Sequence, residues 1–381
     1  MKIFIRSPRG WLQELAKSLD VAYSKKTNNM FEKPRSGRAL LFDKILALYK
    51  STPLPPLEWI IPYKYLVKYP ADSELIIEGG SKIINIDTPY ISYVESGLGL
   101  FGFNTKKINF FNQWIFKKII QKKALIGFVF YSDSARQSTL SIFKQLSLLD
   151  LFSELDLGVI YPFAKDGVNI ALGKKHERTQ LVFCSSSFNL KGGRELVIAF
   201  REIHKKYNCK LVIITDLQNI PKIYTDESID FIDFNLSPEM YRSILLESDV
   251  IVHPTLFDTH ALSLMEGIKQ GLPCITTNTF ALAEYVDNNV TGIVLSNPFP
   301  PYSESKGPNF RGEPLKHARK IMNNKAVSKI LVENLIESIE TLIVNYDKFE
   351  KNTAEYIKTH DFSEKNVRLA WKKIFSEVKL K

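Results

Sequence analysis

HPTLFDTHALSLMEGIKQGLP, running from His253 to Pro273, is the stretch on which the fold turns. An apolar run from Asp249 to His253 reads as a strand, and Pro254 to His260 reads as a polar turn. Apolar spacing predicts a helix from about Ala261 to Gln270, stopped by Gly271 and Pro273. Asp258 and Glu266 put two carboxylates on this unit. A helix that opens just past the C-terminal end of a strand offers unpaired N–H groups and the positive end of its dipole. Open α/β sheets bind phosphates and nucleotides at such places. A carboxylate one or two turns further on then reaches hydroxyls of the same ligand. The same spacing also fits a plain strand–helix unit with one capping Asp and one solvated Glu.

Working outward, the second half is regular. Strands are predicted at Leu181 to Ser185, Lys210 to Thr215, Ile229 to Phe234, Cys274 to Thr277 and Gly292 to Leu295, with helical patterns between most of them. Ser237-Pro238-Glu239 is a helix start, with Ser as cap and Pro at the first position. Alternating strands and helices imply a parallel, doubly wound sheet. Asn297 to Pro314 is a Pro-rich excursion, and from Leu315 the chain reads as helical and charged.

The first half opens with a strand, Lys2 to Arg6, a Ser7-Pro8-Arg9-Gly10 turn and a helix from Trp11 to Leu19. The stretch from 24 to 38 reads as a basic loop, and Ala39 to Tyr49 as a helix. Strands are expected at Leu75 to Ile77, Lys82 to Ile86, Tyr90 to Val94 and Leu125 to Tyr131, the last followed by a helix from about Ser134. Lys106 to Lys123, KKINFFNQWIFKKIIQKK, reads as a basic amphipathic helix, with Ile108, Phe111, Trp114 or Ile115, and Lys118 or Ile119 recurring at helical spacing. Such a helix either lies in an anionic membrane interface or packs as a core helix with snorkelling lysines. The segment Gly158 to Phe163 leads into a polar linker from Ala164 to Arg178.

The 381 residues suffice for two domains, and 45% hydrophobic with 24% charged residues is a globular composition. No apolar run reaches the roughly 18 residues of a membrane span. The first residues lack the apolar core of a signal peptide, so a cytoplasmic protein is expected, peripheral to a membrane at most. Cys184, Cys209 and Cys274 sit in apolar, strand-like contexts and are expected to be reduced and buried. The net charge of +10 is uneven: residues 1–165 carry 23 Lys+Arg against 14 Asp+Glu, and the rest 28 against 27. A basic first half suggests an anionic partner or simply a basic surface. Nucleic acid is disfavoured, because no repeated aromatic-basic platform exists.

The His253 stretch resembles the E-x7-E motif of retaining glycosyltransferases of the GT-B fold, in the large family four. Pro254, Thr255, Asp258, Ala261, Glu266, Gly267, Gly271 and Pro273 occupy the corresponding places, with Asp258 in place of the first Glu. The segment after the first strand of the second half resembles the family's G-R-x-x-x-x-K-G, with Lys191 and Gly192 matching its end and Ser186 at the Arg position. The loop from Asn278 to Val286 resembles the one bearing a P-E pair, with Glu284 as the Glu. Gly10 matches the glycine that approaches the donor diphosphate from the first domain. The family's first-domain His has no counterpart, since the first His is His176.

The resemblance implies two Rossmann-like, doubly wound α/β domains facing a cleft: 1–168 for the acceptor, 169–355 for the nucleotide sugar, and 356–381 as a terminal helix crossing back. It implies a retaining transferase that moves a sugar from a nucleotide-diphosphate sugar to a saccharide or lipid-linked acceptor, as in surface polysaccharide, lipopolysaccharide or capsule synthesis. Lys191 would neutralise the diphosphate, helped by the backbone of Thr259, His260, Ala261 and Leu262. Glu266 would hold the ribose, and Asp258 a hydroxyl of the donor sugar. Gly10, Ser186, Gly192, Thr255 and Glu284 would line the donor. No cofactor and no metal are expected, because no D-x-D pair stands at a strand end. Ser186 and Asp258 also fit an inactive paralogue that serves as a scaffold. A sugar-nucleotide epimerase of the same fold matches the motif less well.

Overall fold

The structure is a computed structural model that describes residues 1–6, 9–24, 38–167, 177–220, 224 and 227–379. Residues 25–37 of the expected basic loop, most of the linker, the expected boundary at 168/169 and the Ser7-Pro8 part of the first turn lie outside the described residues. By its contacts the chain divides into two compact units.

The first unit comprises Met1–Phe163, Tyr302–His317 and Glu364–Lys381. Its sheet is built from β1 (Ile3–Arg6), β2 (Ala22–Tyr23), β3 (Leu75–Glu78), β4 (Tyr90–Val94), β5 (Leu125–Phe130) and β6 (Asp156–Val159). They lie in the order β2-β1-β3-β4-β5-β6 with every pairing parallel. β3 and β4 are buried along their whole length, as strands covered on both faces must be. Trp11 stands edge-on to Tyr93 and Tyr131, and Tyr93 meets Trp371 at 5.1 Å between ring centres. Trp371 is fully buried, so the last helix, Glu364–Lys379, is a core element of this unit.

Four expectations differ here. Lys82 to Ile86 forms no strand; only Asn85 makes a bridge, to Pro62. Its isoleucines are buried, but Ser81 turns the chain at a φ of 57° and the Ile84 N–H is taken by the Tyr90 hydroxyl. The edge strands β2 and β6 were not expected; they are short and only partly buried, so they lack an apolar run. The helix of the Lys106 to Lys123 stretch spans Phe110–Ile120 and buries Asn112, Phe116, Ile119 and Ile120, while Phe111 and Trp114 face solvent. The excursion after 300 is part of this unit from Tyr302 to His317, not of the second: Thr105 and Gly312 exchange hydrogen bonds of 3.0 and 2.6 Å.

The second unit comprises Ala164–Pro301 and Ala318–Ser363. Its strands are β7 (Thr179–Cys184), β8 (Cys209–Thr215), β9 (Ile229–Asp233), β10 (Val250–His253), β11 (Cys274–Thr277) and β12 (Gly292–Leu295). They run parallel in the order β12-β11-β10-β7-β8-β9. That is the doubly wound order of dinucleotide-binding sheets, and it reverses between β7 and β10. The helix Gly193–His204 buries Leu196, Val197, Phe200 and Ile203, and the helix Lys325–Val344 buries Leu331, Leu335, Ile339 and Leu342 in the same core. Each such side chain contributes about 1.5–3 kcal/mol by leaving water. The three cysteines are free and buried. No helix among the described residues is long and apolar enough to cross a membrane.

Candidate donor site at the strand reversal of the second unit

Ligands of open α/β sheets bind beyond the C-terminal strand ends where the order reverses. In the second unit that place lies beyond Cys184 and His253. The turn after β10 is fixed from below. The fully buried Thr255 donates its hydroxyl to the Phe257 carbonyl at 3.0 Å and accepts the Phe257 N–H. The Thr255 carbonyl accepts from Thr277 and Thr279 at 2.5 and 3.1 Å, and Asn297 donates to the Leu256 carbonyl at 3.0 Å. Thr255 therefore shapes the turn rather than presenting its hydroxyl.

The helix that follows spans Leu262–Lys269, with Ala261 as N-cap and no side-chain cap. Ser263 ties it across the strand reversal by donating to the Cys184 carbonyl at 3.0 Å. A Cβ on Gly267 would strike Ile251, so the glycine lets the helix lie close on β10. The helix ends at Gly271, whose φ of 88° is left-handed.

Lys191 comes from the loop after β7. Gly192 follows it at a φ of 80°, and a Cβ there would overlap the Pro254 carbonyl oxygen. This close approach carries the lysine to the β10 turn. Its ammonium lies 2.6 Å from Asp258 Oδ2 and donates to the Phe257 carbonyl at 2.9 Å. Asp258 Oδ1 accepts the Thr259 and His260 N–H groups at 2.8 and 3.2 Å. Behind it, buried His253 sets Nε2 3.3 Å from Asp258 Oδ2 and stacks on Phe183. Burial works against a charged Asp258, but Lys191 and His253 outweigh it and hold the carboxyl far below the usual range. Burial likewise lowers His253, against the pull of Asp258.

Glu266 stands in the second turn of the helix, where the Tyr241 hydroxyl donates to Oε2 at 3.1 Å. Burial pushes its carboxyl up to about 7, against the opposing effects of Tyr241 and Lys269. Tyr241 comes from the helix Pro238–Glu247, capped by Ser237 as expected. It is raised by its own burial and also contacts the Cys184 thiol, which burial lifts to about 12.

The structure thus brings Lys191, Asp258, Gly192, Thr255 and Thr259 together. His260 turns its ring to Tyr285, Ala261 is buried, and Leu262 opens the helix. Ser186 is exposed just beyond β7, and Glu284 is half-buried in the short turn Leu282–Tyr285. Gly10 belongs to the first unit, where it opens the helix Gly10–Leu19 with nothing near its missing Cβ. Arg194, the nearest candidate for the absent Arg at Ser186, is bound to buried Glu195 at 2.5 Å and to the Met322 carbonyl at 3.0 Å. Among the described residues no group of three or more His, Cys, Asp or Glu could hold a metal ion. His253 and Tyr241 were not singled out from sequence. His253 closes the quoted strand five residues before Asp258, and Tyr241 follows a readable cap but meets Glu266 from 25 residues away.

Residues 178–300 match the family described as Glycosyl transferases group 1. Comparison with curated proteins gives no match. Among solved structures, sucrose-phosphate synthase from Thermosynechococcus elongatus is 13% identical with a TM-score of 0.57, over 99% of each chain. HepE from Anabaena, solved in complex with UDP and glucose, is 13% identical with a TM-score of 0.55, over 99% of this chain and 100% of that one. The GtfA/B complex gives 13% and 0.56 over 84% of this chain, which spans only 60% of that one. At these identities the likeness is one of fold: two α/β units, each with a parallel six-stranded sheet, as in the GT-B fold.

Proposed function

We propose, for a chain that carries a glycosyl transferases group 1 domain at residues 178–300, the transfer of a sugar from a nucleotide-diphosphate sugar to a saccharide or lipid-linked acceptor with retention at the anomeric carbon. The observation that carries this reading is the Lys191 ammonium, held by Gly192 and Pro254 beside the uncapped Leu262–Lys269 helix at the strand reversal. The HepE structures with UDP and with UDP-glucose supply the class of donor by analogy.

Breaking the anomeric C–O bond builds positive charge on the sugar and negative charge on the departing diphosphate. Cations and N–H donors must therefore converge on the phosphates. Lys191 supplies the cation, and the amides at the start of the helix supply donors. Glu266 accepts from the ribose hydroxyls. Glu284 would line the sugar side. The leaving phosphate itself takes the acceptor's proton, which accounts for retention. No protein-bound metal is needed, so activity should survive EDTA.

One observation favours a second reading, a weak or inactive paralogue. Ser186 is neutral and Arg194 is held elsewhere, so one ammonium faces a diphosphate that the family meets with two cations. Turnover of a panel of nucleotide sugars separates the readings.

The acceptor side is proposed to be an anionic membrane surface met by the helix Phe110–Ile120. Phe110 is 87% exposed and Trp114 57% exposed, with Lys117, Lys118, Lys122 and Lys123 exposed around them. Aromatic rings beside ammonium groups suit the boundary of an anionic bilayer. A cytoplasmic protein docked at the inner membrane face would meet a lipid-linked saccharide there.

The test is calorimetry with nucleoside diphosphates of each base. Binding should be lost or much weakened in Lys191→Ala and in Glu266→Ala; unchanged affinity in both discards the site.

A further inference from the structure

We infer that Asp258 is a positioning residue that sets the Lys191 ammonium in place, and that it is not the group that holds the donor sugar. The inference rests on the nucleotide-sugar reading above.

A carboxylate offers about four acceptor positions. All four of Asp258 are taken. Oδ1 accepts the Thr259 and His260 amides at 2.8 and 3.2 Å. Oδ2 receives Lys191 at 2.6 Å and His253 at 3.3 Å. The His253 contact has only one sense: an ionised carboxylate cannot donate, so Nε2 carries the proton. Burial, which disfavours imidazolium, leaves His253 with one N–H, and that N–H points at Asp258.

The aspartate is also tied to its own turn. Accepting amides from the next two residues fixes the carboxylate against the backbone, as Asx turns do. A glutamate here would carry the carboxylate one methylene further out. A sugar hydroxyl could reach Asp258 only by displacing one of four donors, and each displaced donor would be left without its partner in a site that is mostly closed to water.

Lys191 shows the complementary count. An ammonium has three N–H groups. One meets Asp258 and one meets the Phe257 carbonyl, which fixes the long side chain and leaves one N–H for an anion. Without Asp258 the four-carbon stem regains rotamer freedom, which a diphosphate would then have to freeze on binding. Relief of repulsion between carboxylate and phosphate acts in the other direction. A fall in affinity on removing Asp258 therefore means that the ordering of Lys191 outweighs the relieved repulsion.

The experiment compares a free nucleoside diphosphate with the same nucleotide carrying its sugar, by calorimetry on the full chain. A sugar ligand would matter only to the second. In Asp258→Asn both affinities are expected to fall together, by about tenfold, with their ratio kept within about twofold. In a Lys191→Met background, Asp258→Asn should no longer weaken binding of the free nucleotide. His253→Gln, which leaves Asp258 in place, should also preserve the ratio and guards against an Asp258 variant that fails to fold; thermal melts report the fold. A loss confined to the nucleotide sugar, no common loss, or an undiminished effect in the Lys191→Met background overturns the inference. Failure of the unaltered protein to bind any nucleoside diphosphate defeats instead the function from which the inference starts.

Discussion

The Tyr241 hydroxyl donates to Glu266 Oε2 at 3.1 Å, and among the described residues it is the one side-chain donor to a carboxyl that burial lifts to about 7. The charged form of Glu266 is therefore disfavoured in the folded protein. A carboxyl raised above its ordinary 4.5 adds stability that is fully present below that value and is lost as pH rises through about 7. Relative to Glu266→Gln, the unaltered protein should lose about 3 kcal/mol between pH 4.5 and pH 8, read from denaturant unfolding at each pH. Tyr241→Phe removes a bond that lowers this carboxyl and should move the loss to higher pH. A pH-independent difference between the protein and Glu266→Gln would contradict the account.

Ribose hydroxyls that donate to Glu266 favour its ionised form. Nucleotide-sugar binding should then release a proton near neutral pH and tighten between pH 6 and pH 8. Calorimetry in buffers of different ionisation enthalpy measures the release, which Glu266→Gln should abolish.

Gly192 combines a φ of 80° with a missing Cβ that would overlap the Pro254 oxygen. Gly192→Ala should cost about 2 kcal/mol or more, from the left-handed backbone and the clash together. Nucleotide affinity should fall as well, because the residue before it is Lys191. Chemical denaturation and calorimetry on one preparation check both effects.

Trp371 is fully buried against Tyr93. Trp371→Ala should destabilise the first unit by about 3–5 kcal/mol, as large core truncations do. Fluorescence-monitored unfolding will show whether the lowest-melting transition moves.

The helix Phe110–Ile120 should bind vesicles containing anionic lipid and ignore neutral ones. Lys117→Ala and Lys118→Ala should each weaken binding about fivefold, and Trp114→Ala should weaken it without changing its salt dependence. These side chains are exposed, so flotation of folded protein reports the surface alone.

Much of the second unit is readable from sequence because its inner strands are buried almost throughout and its edge strands keep apolar runs. They appear as short apolar runs bounded by Gly, Pro and caps, and Cys274–Thr277 and Gly292–Leu295 have the expected limits. The helix Phe110–Ile120 misleads because its periodicity assigns large apolar residues inward. Asn112 takes a core position instead, and its amide donates to the Pro53 and Lys107 carbonyls at 2.8 and 2.9 Å. Lys107 is also buried, donating to the Leu54 carbonyl. A polar side chain satisfied by carbonyls distant in sequence leaves no trace in periodicity. The same holds at the candidate site. Lys191, Asp258 and Glu266 are visible by motif, whereas the Lys191–Asp258 pair and Tyr241 beside Glu266 arise only when separate strands and helices meet, and His253 reaches Asp258 through the fold of the turn between them.

The first unit is assembled from Met1–Phe163, Tyr302–His317 and Glu364–Lys381. On the ribosome its sheet therefore emerges long before the segment that supplies Trp371. Until Trp371 has been made, the ring of Tyr93 lacks one of its aromatic partners, and the nascent half waits with an apolar socket open there. A stop codon anywhere before the helix Glu364–Lys379 would leave the socket open for good.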